Sequence, residues 1–235
     1  MDPPSVTGER LAVVYGHSLP PGRLLDDLLG DGGATVFLAW HGRERFAPAH
    51  RVDDHANIRA LCELGCDRVL ALASTGSLRP EIGVGTLVCP DDFLALGVAP
   101  TFFDDARGHS VPGFDPLWRE RVVGTWASRG AQALRDGGVY AHVAGPRFET
   151  AAEVRVLARD ADVVGMTIAA EAILAREAGL AYAAVCTVDN MANGLDAAPL
   201  SVEEYRRARD AFAPLLVADL GRVLPALAAG GAATR

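Results

Sequence analysis

The candidate chemistry sits in short polar clusters at the ends of apolar runs. In "AGPRFETAAE" (144–153), Phe148 and Glu149 occupy a turn between a Gly-Pro step and a helix start at Thr150. Thr150 and Glu153 have the spacing of a capping box, so the helix begins there. "GMT" supplies Met166 and Thr167, and "DNMANG" supplies Asp189 and Asn190. An amide that both donates and accepts, a carboxylate that accepts and an aromatic face together suit a flat heterocycle bearing a donor and an acceptor. A plainer reading is its equal rival on residue types alone. Phe148 would be a hydrophobic staple, and Glu149 a charge near the positive end of the helix dipole.

The elements that must position these clusters alternate along the chain. "LAVVYG" (11–16), "TVFLAW" (35–40), "RVLALAS" (68–74), "TLVC" (86–89), "VYAHVAG" (139–145), "DVVGM" (162–166) and "AYAAVCTV" (181–188) read as strands. They are continuously apolar, as strands buried on both faces are. Helices are expected at "ANIRALCELG" (56–65), "AAEAILAREAG" (169–179) and "SVEEYRRARDAF" (201–212), with Pro214 kinking or restarting the last. Segment 96–116 lacks a period and reads as a long functional loop. The expectation is a single α/β domain over 1–235, with a mixed, largely buried sheet flanked by helices and flexible ends at 1–9 and 228–235. In such folds chemistry lies on loops at strand ends, where the polar clusters fall.

Composition narrows the function classes. The net charge is -8 and no basic stripe is present, which argues against nucleic acid and anionic membrane surfaces as partners. Neither a signal peptide nor an apolar run of spanning length is evident, and Cys62, Cys66, Cys89 and Cys186 read as reduced packing residues, so a cytoplasmic setting is expected. Cys62 and Cys66 have the spacing to share a helix face.

Other motifs compete. "GHSLP" (16–20) imitates a nucleophile elbow, but Pro20 stands where the second glycine belongs and one strand alone precedes it. His50, Asp53, Asp54 and His55 offer metal-type donors at a spacing that fits no metal signature, so helix capping is the better reading. Neither a Walker loop nor a Gly-x-Gly-x-x-Gly after a strand is present.

Taken together, the clusters resemble a known family. "AGPRFETAAEVRVLARDADVVGMTIAAEAILAREAGLAYAAVCTVDN" closely resembles the trimeric purine nucleoside phosphorylases and 5'-methylthioadenosine phosphorylases. "WHGRERFAPAHRVDDHANIRALCELGCDRVLALASTGSL" is similar to the same family's His-Gly-Arg, Ala-Asn-Ile and Gly-Ser-Leu segments, and the match is collinear over roughly residues 11–225. The resemblance implies cleavage of a purine N-glycosidic bond by inorganic phosphate, giving free base and ribose 1-phosphate. No metal and no cofactor are implied beyond phosphate as co-substrate.

It also implies roles. Asn190 would face the purine N7 and O6, Glu149 the N1–H, and Phe148 the ring, while Met166 would lie under the ribose. Thr167 would offer its hydroxyl to phosphate, and His109 would reach a neighbouring subunit's site near the ribose 5' position in a homotrimer. Asn190 favours 6-oxopurines, with Asp189 beside it as a second substrate-binding candidate. The phosphate side departs from the family pattern. Trp40 stands where an Arg precedes His-Gly-Arg, Ala73 where the methylthioadenosine branch has Thr, and Ala170 where a Pro comes after "MT" plus two residues. His17, Ser18, His41 and Arg43, with Thr167, are the residues left to rebuild that site. A phosphate-independent nucleosidase and a non-catalytic purine-binding relative are the alternatives.

Overall fold

The computed structural model of the protein describes residues 4, 8–16, 19, 35–42, 47–196 and 200–230. Nine strands form one mixed sheet among these residues. Strand β3 (Cys66–Ser77) is its spine, pairing in parallel with β9 (Ala181–Met191) along nearly its whole length. On its other edge β3 changes partner. Its first half pairs in parallel with β1 (Arg10–Tyr15), which in turn pairs with β2 (Thr35–Ala39). Its last two residues pair antiparallel with β8 (Val163–Gly165), beyond which lie β7 (Val139–His142) and β5 (Asp92–Leu94). On the far side of β9 come β4 (Leu87–Cys89) and β6 (Leu134–Asp136).

The continuously apolar strands are buried on both faces. Val69, Ala71 and Ala73 of β3 enter one core, and the alternate residues Leu70 and Leu72 enter the other. The first core packs against α1 (Asp54–Glu63) and α4 (Ile168–Ala178), through residues such as Ile58, Leu61 and Leu174. The second packs against α2 (Pro116–Arg129) and α5 (Val202–Ala228), through Trp118, Trp126, Leu216 and Leu220. Helices therefore cover both faces of the sheet, as the alternating pattern predicts. Three of these helices start at a side-chain cap. Asp53 accepts the Ala56 amide at α1, Asp115 the Trp118 amide at α2, and Ser201 the Glu204 amide at α5. Helix α4 ends at Gly179, whose φ of 79° suits a residue without a Cβ.

Some expectations are corrected. Helix α5 does not restart at Pro214, and runs from Val202 to Ala228 through both Pro214 and Pro225. Each proline costs the helix a hydrogen bond, but the buried stripe of Leu216, Leu220, Val223, Leu224 and Leu227 holds it against the sheet. By length and composition α5 could cross a bilayer, yet this stripe is part of the second core. Cys62 and Cys66 do not share a helix face, because α1 stops at Glu63 and Cys66 opens β3. All four cysteines are free and buried. Strands β5 and β6 and helix α2 had no counterpart in the sequence reading. The two strands are three residues long and the helix carries a polar face, so their periodic signals are weak.

Candidate active site

The partner change along β3 opens the site. Strand β1 ends with Tyr15 opposite Leu72, and β8 begins its pairing at Gly76. The C-terminal ends of β1 and β8 thus approach each other from opposite directions, leaving Ala73–Thr75 with β9 alone as a described neighbour. A cavity of about 540 Å³ fills this gap. Ligand sites of open α/β sheets lie where strand order reverses, for the same geometric reason.

A register shift in β9 arranges one wall. Thr75 lies opposite Val188 but Gly76 opposite Asn190, so Asp189 is an extra residue in the ladder. Such a bulge re-aims side chains. Asn190 faces the cavity, and its amide donates to the Met191 carbonyl at 2.9 Å. Asp189 does not line the cavity; it is buried behind it and accepts a short hydrogen bond from the Ser74 hydroxyl. The Ser74 and Tyr205 hydroxyls are 3.2 Å apart, and burial pushes the Asp189 carboxyl up to about 7.

The turn at 147–150 separates the two readings of its residues. Thr150 and Glu153 form both halves of the capping box of α3 (Ala151–Leu157), and Arg147 pairs with Glu153 at 2.7 Å. Capping is therefore complete without Glu149, which is 8% exposed, lines the cavity and has its carboxyl raised by burial. Asn193 steadies this turn by donating to the Glu149 carbonyl at 3.1 Å. Phe148 is 38% exposed, too open for a packed staple, and its ring lies 6.3 Å from that of Tyr205 at the cavity wall. Met166 and Thr167, just past β8, face the same space.

The opposite end is formed by Trp40, His41 and Ala73. The Trp40 indole donates to Asp54 at 3.1 Å, and its carbonyl accepts from Asn57 at 3.0 Å. Burial raises the Asp54 carboxyl to about 6. The His41 ring bonds the Ala47 carbonyl at 2.8 Å, and burial lowers its basicity, so it is neutral at pH 7. Two more of the suspected metal quartet are engaged elsewhere. Asp53 caps α1, and His55 bonds the Thr101 carbonyl at 2.9 Å. No cluster of three metal-type donors occurs among the described residues.

Of the sequence candidates, Phe148, Glu149, Met166, Thr167, Asn190 and His41 converge on one cavity. His109 does not; it is exposed on the loop before α2. His17, Ser18 and Arg43 lie outside the described residues. Sequence reasoning missed Val202, Tyr205, Arg206 and Arg209, which line the cavity from α5. Their i, i+3, i+4, i+7 spacing was the available signal. It also missed Glu171, a single acid in the apolar run "IAAEAILA".

This fold and constellation define a phosphorylase-type α/β protein. The chain belongs to the Phosphorylase superfamily, which it matches over residues 22–225. It is similar to a probable 6-oxopurine nucleoside phosphorylase of Archaeoglobus fulgidus, with 39% identity over 70% of this chain and 68% of that protein. It is also similar to a probable S-methyl-5'-thioinosine phosphorylase of Pseudomonas syringae pv. tomato, with 40% identity over 84% of each. Among solved structures, methylthioadenosine phosphorylase from Schistosoma mansoni in complex with tubercidin shares the fold at a TM-score of 0.71 and 22% identity, covering 93% of this chain and 92% of that one.

Proposed function

We propose that the protein is a purine nucleoside phosphorylase that cleaves 6-oxopurine or 5'-methylthio nucleosides with inorganic phosphate. One observation carries this reading: Phe148, Glu149, Met166, Thr167 and Asn190, drawn from separate loops, line a single cavity. Cleavage of the glycosidic bond builds positive charge on the ribose and negative charge on the departing purine. Asn190 donates its amide to the purine as that charge grows, Glu149 accepts from the ring N–H, and Phe148 covers the ring face. The relatives named for 6-oxopurine and thioinosine substrates support the choice of an oxygen at the purine 6-position.

The active form in this reading is a homotrimer working in the cytoplasm. Leu96 and Val111, 85% and 88% exposed, lie on the same connecting segment as His109. Exposed apolar residues of this kind support a subunit interface. Four free, buried thiols suit a reducing compartment.

A second reading has its own observation. Among the described residues at the end where phosphate would bind, Trp40 and neutral His41 supply no cation, which favours water as nucleophile. The test is turnover of inosine and methylthioinosine with and without phosphate. Ribose 1-phosphate as product supports the phosphorylase, and free ribose at a phosphate-independent rate replaces it with the nucleosidase.

A further inference from the structure

Within the phosphorylase reading, on which this inference rests, we infer that Glu171 is a positioning residue for the nucleophile: held by Tyr182 one turn from Thr167, it orients the Thr167 hydroxyl toward the phosphate. Thr167 is the N-cap of α4 and Glu171 lies one turn on, with its amide donating to the Thr167 carbonyl at 3.3 Å. Both side chains face the cavity. Glu171 is 2% exposed, and the Tyr182 hydroxyl donates to its Oε2 at 2.7 Å. Thr167, one helical turn before it, is the hydroxyl-bearing residue that lines the cavity on this face of α4.

The carboxyl proton decides the direction of any hydrogen bond made between the two side chains. An ionised carboxylate only accepts, so it would draw the Thr167 proton away from any ligand. A neutral carboxyl donates to the Thr167 oxygen, and the threonine proton is then free for a phosphate oxygen. The surroundings favour the neutral form. The ionisable groups around Glu171 are Asp54 on α1, Tyr140 on β7, and Tyr182 and Cys186 on β9, none of them a cation. Burial is the largest influence and Asp54 adds to it, raising Glu171 to about 8. Across the cavity stand Glu149, neutral His41, and Arg206 and Arg209 of α5. A carboxylate here would also set a negative charge beside a bound dianion.

The experiment is titration with inorganic phosphate, by calorimetry and by steady-state kinetics, at about pH 7.5 and about pH 9. The variants are Glu171→Gln and Glu171→Ala. Phosphate affinity of the native protein should fall about fivefold or more as pH rises through the Glu171 ionisation. Glu171→Gln, which donates at every pH and still accepts from Tyr182, should lose that pH dependence and keep the affinity seen at pH 7.5. Glu171→Ala should bind phosphate about tenfold more weakly at both pH values, with the nucleoside KM little changed. Thermal unfolding of each variant identifies any that fails to fold, and the Gln variant preserves the packing. Equal pH dependence in the native and Gln proteins overturns the assignment. A native protein that binds phosphate with the expected pH signature yet releases free ribose keeps the assignment and overturns the phosphorylase reading. No phosphate binding by the native protein at pH 7.5 overturns both.

Discussion

Gly76 lies directly opposite Asn190 in the β3–β9 ladder, and a Cβ on Gly76 would stand 3.0 Å from the Asn190 amide nitrogen. The Val164 side chain would be 3.4 Å away, so the space is closed on two sides. The amide rests where a side chain would otherwise be. Gly76→Ala should therefore displace Asn190 while leaving the ladder intact. We expect kcat/KM for inosine to fall about tenfold, a loss of about 1.4 kcal/mol, with the Tm nearly unchanged. Native kinetics in the variant would mean that Asn190 has room to move without consequence.

Glu149 and Asn190 are expected to act on the leaving base. Each Ala substitution should cost about 2 kcal/mol or more of transition-state stabilisation. Because Thr150 and Glu153 already complete the cap, Glu149→Ala should not lower helix stability by the roughly 1 kcal/mol that loss of a cap costs. Kinetics together with thermal melting check both statements. Near-native turnover in both variants would remove the purine assignment.

Trp40→Arg tests the altered phosphate end. The new guanidinium would find Asp54, which now accepts from the indole, and so would not be a buried cation without a partner. A charge-assisted contact to phosphate is worth about 1.5–3 kcal/mol, so the phosphate KM should fall roughly tenfold. The native protein should accordingly show weak phosphate affinity. Saturation at low phosphate in the native protein would show that the site is already complete.

Stability should depend on pH through the acids around the cavity. Asp54, Asp189 and Glu171 have folded values of about 6, about 7 and about 8, all raised chiefly by burial. A carboxyl with a raised folded value stabilises fully below its unfolded value near 4, and that contribution is lost as pH rises through the folded value. The Tm should decline between about pH 4 and about pH 8. Asp189→Asn should flatten the part of that decline below about pH 7, while its amide oxygen still accepts from Ser74. A native Tm that rises across this window would contradict the burial of these groups.

Assembly is checked by sedimentation. A trimer is expected, with His109→Ala changing discrimination at the ribose 5' position more than overall turnover. A fully active monomer would exclude a shared site.

The apolar runs by themselves determined seven of the nine strands, because strands buried on both faces have little freedom to be anything else. The capping box at Thr150 was legible for a similar reason, since both of its hydrogen bonds lie within four residues. Phe148, Glu149, Met166, Thr167 and Asn190 were recognisable by type and resemblance, and the cavity does bring them together. What only tertiary structure decided depends on pairing between distant segments. The partner change of β3, the bulge that turns Asp189 inward and Asn190 toward the cavity, and the closeness of Gly76 to Asn190 follow from register, which a one-residue slip would reverse. The same holds for α5. Its prolines argue locally for a break, and burial against the second core overrides them, carrying Tyr205, Arg206 and Arg209 to the cavity. Glu171 is the clearest case: locally an acid in a helix, it becomes a buried neutral partner of Tyr182 only once α4 packs on β9.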